Sequence, residues 1–178
     1  MQQIRQLHKY FDDLQIRHGE STLSSIYGAG EINNPNVMFI FMNPTARNIA
    51  SNPYWDGLRA PWIGTKQVWD IFTALGLLDQ NLYEDIRGRK PKDWDREFAN
   101  SIYADIQKNS VYITNLAKCT QVDARPLNNN IFKDYLNLMY KEIQLVNPKK
   151  IVSFGNQVSS ILLKKNVSVS DFKTEEKE

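Results

Sequence analysis

The sequence predicts an α/β protein, a three-layer α/β/α sandwich on a short parallel sheet. Three apolar runs point to it: residues 37–42 (VMFIFM), Val111–Asn115 (VYITN) and 151–154 (IVSF). Each reads as a strand; the first, too short for a confident helix and bounded by turn residues, reads as a strand buried on both faces. Between them, apolar residues recur at i, i+3, i+4 and i+7, the spacing of helices that cover such a sheet. Three strands make a thin sheet, so the chain is expected to lack the last strand of its fold. Right-handed crossovers are the default for the connections.

In chain order, residues 2–16 place Ile4, Leu7, Phe11 and Leu14 on one face of an amphipathic helix. Its His8 is expected on the surface, because no second metal ligand follows at i+3 or i+4. His18, beside Gly19, reads as loop. The stretch Tyr27-Gly28-Ala29-Gly30-Glu31, then Asn33-Asn34-Pro35-Asn36, is a turn-rich lead-in. Its Gly-x-Gly precedes a strand, so it is no dinucleotide fingerprint. The first strand ends in Asn43-Pro44. A loop over 44–64 follows, carrying Pro53, Tyr54, Trp55, Pro61 and Trp62. It is too long for a connection and too aromatic for a linker, and ordered loops of that length are usually functional. Ligands of open α/β sheets bind outside the carboxyl ends of strands, which makes this loop a site candidate.

Thr65 is expected to cap the next helix, with Val68, Ile71, Phe72 and Leu75 on one stripe, Trp69 in the core and Gly76 near the end. Residues 81–92, with Arg87, Arg89, Lys90 and Lys92, read as a solvated polar loop. A helix through Trp94, Phe98 and Ile102 leads to the second strand, which ends in Asn115. The loop 116–127 holds Lys118 and Cys119. Asn128, Asn129 and Asn130 can cap a long helix with Phe132, Tyr135, Met139, Ile143 and Val146 inward, stopped by Asn147-Pro148. After the third strand, Gly155-Asn156 turns into a helix with Val158, Ile161 and Leu162 inward. Residues 1–167 thus form one domain, and 168–178 a polar tail.

Composition narrows the class. A chain of 178 residues, 42% hydrophobic and 24% charged, is that of a soluble globular domain. No run approaches the ~18 apolar residues of a membrane span, and no signal core opens the chain. One cysteine, Cys119, excludes an internal disulfide and any all-cysteine metal site within one chain. A reducing cytoplasm is expected, and a monomer. A formal charge of +2 permits contact with nucleic acid without the excess of a strongly basic domain.

Five pieces, in order, resemble one family. They are Tyr27-Gly28-x-Gly30 leading to Val37-Met38-Phe39-Ile40; Met42-Asn43-Pro44-Thr45; Ala60-Pro61-Trp62-Ile63-Gly64; the nine residues from Val111 to Cys119; and residues 151–155. Together, over about residues 26–163, they are similar to the uracil-DNA glycosylase superfamily, most closely its family 4-like branch. The resemblance implies DNA containing uracil as the partner, a flipped base, and hydrolysis of its glycosidic bond. It assigns Trp62 to stacking on the base, Asn115 to reading uracil O4 and N3–H, and Asn43 to holding the water. An amide orients water and cannot deprotonate it. Met42, Pro44 and Thr45 complete the first motif, where backbone groups over 44–46 could meet the base or a developing oxyanion.

Three departures qualify this. Family 4 members hold an iron–sulfur cluster on four cysteines, and Cys119 matches only one, so no cluster, metal or other cofactor is expected. Thr45 stands where the motif has glycine, which narrows the space beside the base. The third motif, a His-Pro-Ser segment after a fourth strand, has no counterpart, and both histidines lie near the N-terminus. Two readings follow: a glycosylase for uracil or another deaminated base, or a non-catalytic module holding a base or nucleotide in the same pocket.

Overall fold

The computed structural model describes residues 2–168, so the expected tail lies outside the described residues but for Ser168. In order the elements are α1 (Gln2–His18), β1 (Ala29–Gly30), β2 (Val37–Phe41), α2 (Gln67–Ala74), α3 (Gln80–Gly88), α4 (Arg96–Lys108), β3 (Val111–Asn115), α5 (Asn129–Val146), β4 (Ile151–Ser153) and α6 (Asn156–Leu163). The sheet runs β1-β3-β2-β4. Strands β2, β3 and β4 are parallel, as the apolar runs predict.

Side-chain alternation along β2 builds the three layers. Phe39 and Phe41 face one core with Trp69, Phe72, Phe98 and Ile102 from α2 and α4. Met38 and Ile40 face the other, with Phe11 from α1 and Phe132, Tyr135 and Met139 from α5. Successive strand residues point to opposite faces, so a strand apolar on both is the central one. The chain leaves β2 for β3 on one side and returns to β4 on the other. The carboxyl end of β2 is therefore a topological switch point, where open sheets leave a crevice.

Five expectations need correcting. The lead-in is partly a strand: Ala29 and Gly30 pair antiparallel with Ile113 and Tyr112, so the sheet is mixed. Two residues carry no alternation to read, and Gly30 sits at φ +112°, outside ordinary strand geometry. The polar stretch 81–92 is mostly helix, α3 followed by a short 3-10 turn at Pro91–Asp93. The Asp79 carboxylate accepts from the amides of Asn81 and Leu82, and Ile86 is the one residue of α3 fully inside. Leu82 and Tyr83 reach the core only half-buried, so the polar majority of the segment masks its short stripe. Thr65 does not cap α2; Lys66 holds that position without a side-chain bond, and the Thr65 hydroxyl donates to the Trp62 carbonyl at 2.8 Å. His18 closes α1 rather than lying in a loop, its Nε2 2.9 Å from the Asp134 carboxylate.

His8 is half-buried, not on the surface, its ring stacked 3.7 Å from that of Tyr27. Burial holds its pKa below the ordinary value of about 6.5. The unfolded chain therefore takes up the proton first as pH falls. Stability is complete above that ordinary value and is lost as pH falls from it toward the folded pKa. His8→Phe keeps an aromatic stack but removes the proton. It is expected to lose less stability than wild type when urea unfolding is compared at about pH 7.5 and about pH 5.5. Equal losses would clear His8 of any part in the acid sensitivity.

Candidate active site

Three parallel strands end side by side, and Phe41, Asn115 and Phe154 at their ends line a crevice. Phe41 lies opposite Asn115 across the β2–β3 ladder. The ladder continues past the strands, since Leu116 and Ala117 donate their amides to the carbonyls of Phe41 and Met42. On the other flank the Phe154 amide donates to Ile40 at 2.9 Å. A cavity of about 420 Å³ opens here, within the range of small-ligand sites. Met42, Asn43, Pro44, Thr45, Trp62 and Asn115 all line it, so the structure brings all six candidate residues to one place.

The two asparagines face it with opposite unmet halves. Asn43 Nδ2 donates one of its two N–H bonds to the Pro44 carbonyl at 3.0 Å. Its Oδ1 is buried with no hydrogen-bond partner. Asn115 is 2% exposed, and its Nδ2 is likewise buried and unpartnered. Nearly all buried polar groups in folded proteins are paired, and leaving one unpaired costs about 1–3 kcal/mol. Asn43, Asn115 and Trp62, whose Nε1 is also buried and unpartnered, all line one cavity and mark a place for a polar ligand.

Behind Asn115 the sheet is pinned by a buried ion pair. Lys118 Nζ lies 2.7 Å from the Glu142 carboxylate of α5 and donates to Thr114 Oγ1 at 2.7 Å and to the Asn115 carbonyl. Burial pushes the ammonium's pKa down, while Glu142 pushes it back up.

Trp62 is held in an unusual way. Its φ of +65° lies in the left-handed region, rare for a bulky side chain and costing about 1–3 kcal/mol. The amide and hydroxyl of Thr65 both donate to its carbonyl, and Tyr103 Oη donates to Pro61 at 2.6 Å. These bonds fix the backbone where the ring meets Phe41 edge to face, with centroids 4.9 Å apart. Trp62→Ala is expected to weaken binding of uracil-containing DNA by about 1–3 kcal/mol, the worth of one base–aromatic stack, while Trp62→Phe largely keeps it. Unfolding of Trp62→Ala would show instead that the indole serves packing.

Two lining residues were not read as site residues. Phe154 stacks on Phe41 with centroids 4.4 Å apart and 11° between planes. Its position at a strand end, level with Phe41 and Asn115, was the available signal. Arg47 is exposed, lines the cavity, and has no ionic partner among the described residues. A lone arginine in a polar loop gives no signal. Of the backbone donors over 44–46, the Ala46 amide is spent on Gln121 at 2.8 Å and does not face a ligand. Cys119 is fully buried, 3.7 Å from Gln121 Nε2, and burial raises its thiol pKa. One inward cysteine is not a donor set for a four-cysteine cluster.

No curated protein matches this chain. A family model does: that of the uracil DNA glycosylase superfamily matches residues 27–176, from the lead-in to β1 through all three parallel strands and the cavity between them. With an α/β fold and a crevice at its switch point, the chain belongs to the uracil DNA glycosylase superfamily.

Proposed function

We propose that this chain takes a uracil flipped out of DNA into the cavity and hydrolyses its N-glycosidic bond. What carries the reading is the pair of strand-end asparagines, a free donor on Asn115 and a free acceptor on Asn43. Asn115 Nδ2 donates to uracil O4, and its Oδ1 accepts from N3–H. Trp62 supplies the aromatic support. Asn43 Oδ1 accepts a hydrogen bond from a water and aims its lone pair at C1′. As the C1′–N1 bond breaks, its electrons leave on N1 of the base. The water oxygen bonds C1′, and the proton it releases passes to the departing uracil anion, leaving neutral uracil and an abasic sugar. Arg47 is the one cation among the described lining residues, placed to offset the charge of the departing base or of a neighbouring phosphate.

One observation favours binding without chemistry. No carboxylate or imidazole is among the described residues that line the cavity, so no general base stands beside the water. An excision assay separates the two readings. Oligonucleotides with a single uracil, single-stranded or opposite guanine, are incubated with the full chain, and abasic sites are then cleaved with alkali. Breaks at the uracil alone are expected. Uncut DNA that the chain nevertheless retains at uracil would favour the binding module.

A further inference from the structure

We infer that Lys118 is a positioning residue for base recognition, a buried cation that sets the Asn115 peptide and so the direction of its side chain. The inference rests on the reading of Asn115 as the group that meets the base. The geometry is one-sided. Tyr112 and Thr114 face α5, where both hydroxyls donate to Glu142 Oε1, at 2.8 and 2.9 Å. Asn115, next along the strand, lines the cavity on the opposite face. Lys118 reaches back under the turn from the α5 side and takes the Asn115 carbonyl as an acceptor. Thr114 Oγ1 takes a second proton, the Met139 sulfur lies 4.0 Å away, and the Glu142 carboxylate lies 2.7 Å off as the counter-charge. A charge-assisted bond to a carbonyl is stronger and shorter than a neutral one, and holds that peptide plane more tightly.

Lys118 and Glu142 are 0% and 1% exposed in their side chains. Buried ion pairs often add no stability over apolar residues of like size, because desolvation offsets their attraction. What this pair supplies is geometry. Glu142 is itself fixed by two hydroxyls of β3, so the ammonium has one position to occupy, and the asparagine carbonyl follows it. The cavity-side amide then stays aimed with no protein partner of its own, as found for Nδ2.

The test is the full chain carrying Lys118→Met with Glu142→Gln. Both charges go together, and the glutamine still accepts from Tyr112 and Thr114. Two readouts are taken after a cooperative thermal transition shows the variant folded. The first is affinity for a duplex with 2′-fluoro-2′-deoxyuridine opposite guanine, relative to one with the 2′-fluoro cytidine analogue. The preference for uridine is expected to fall by about tenfold, while affinity for the cytidine duplex holds. The second is the Asn115 side-chain amide signal by NMR, identified by its loss in Asn115→Ala, which is expected to shift or broaden. A purely structural role would lower the melting temperature and leave both readouts at wild type, and that result overturns the inference. Should the double variant not fold, Lys118→Arg replaces it; the guanidinium keeps the charge but cannot put a nitrogen at the same point. An unmoved amide signal in that variant also overturns the inference. If wild type itself shows no preference for uridine, the reading of the cavity fails. The amide signal then still decides whether Lys118 holds Asn115.

Discussion

Asn115→Asp is expected to lower single-turnover excision of uracil by about tenfold or more. The wild-type amide offers a donor, buried and unpaired, where uracil O4 would sit. A carboxylate only accepts, so two oxygens would face each other. The substitution also buries a charge at a position 2% exposed, and Lys118 is already paired with Glu142 and donates to Thr114 and the Asn115 carbonyl. The cytosine N4 amino group suits the new acceptor better, although cytosine N3 would then want a proton. Asn115→Ala is expected to act more gently, costing about 1–3 kcal/mol of recognition by leaving uracil's edge unpaired. Excision of uracil by Asn115→Asp at the wild-type rate would remove Asn115 from the site.

Asn43→Ala is expected to separate binding from chemistry. Its Oδ1 is the free acceptor at the end of β2, and its Nδ2 is tied to the next residue's carbonyl, so the group is set to hold a water and little else. Losing it should leave affinity for uracil-containing DNA nearly intact. The single-turnover rate should fall by about 10²-fold, the usual effect of misplacing a reactant. A parallel loss of affinity and rate would make Asn43 a base contact. An unchanged rate would leave it a strand-end residue that bonds nearby backbone, a common use of asparagine.

Much of this arrangement could be read before the coordinates, for a physical reason. Strands β2 and β3 are buried on both faces, so their apolar runs are unbroken; β3 ends at Asn115, and Asn43 lies two residues past the end of β2. Helix α5 carries its whole stripe and a capping Asn128 and ends at Asn147, at φ +51°. Elements held by tertiary contacts gave no such pattern. Strand β1 exists because Gly30 can take a positive φ beside β3, and α3 is held by the Asp79 cap, the buried Ile86 and the half-buried Leu82 and Tyr83. At the cavity the resemblance supplied six residues from the motifs. Phe154 and Arg47 join them through folding, one by stacking on Phe41 and the other by its place in a loop. The Lys118–Glu142 pair was also hidden, since 23 positions of sequence separate its ends and no pattern links them.

The central claim is that the cavity at the end of β2 reads a flipped uracil by its polar edge. Its most direct test is equilibrium affinity of the wild-type chain for two duplexes that it cannot cleave. One carries 2′-fluoro-2′-deoxyuridine opposite guanine, the other the 2′-fluoro cytidine analogue in the same place. Phosphate contacts are the same in both, so the difference isolates the base and the ease of flipping it. Tighter binding of the uridine duplex by about tenfold or more is predicted, with the preference lost in Asn115→Ala. Equal affinity for the two duplexes, or a preference untouched by Asn115→Ala, would contradict the account.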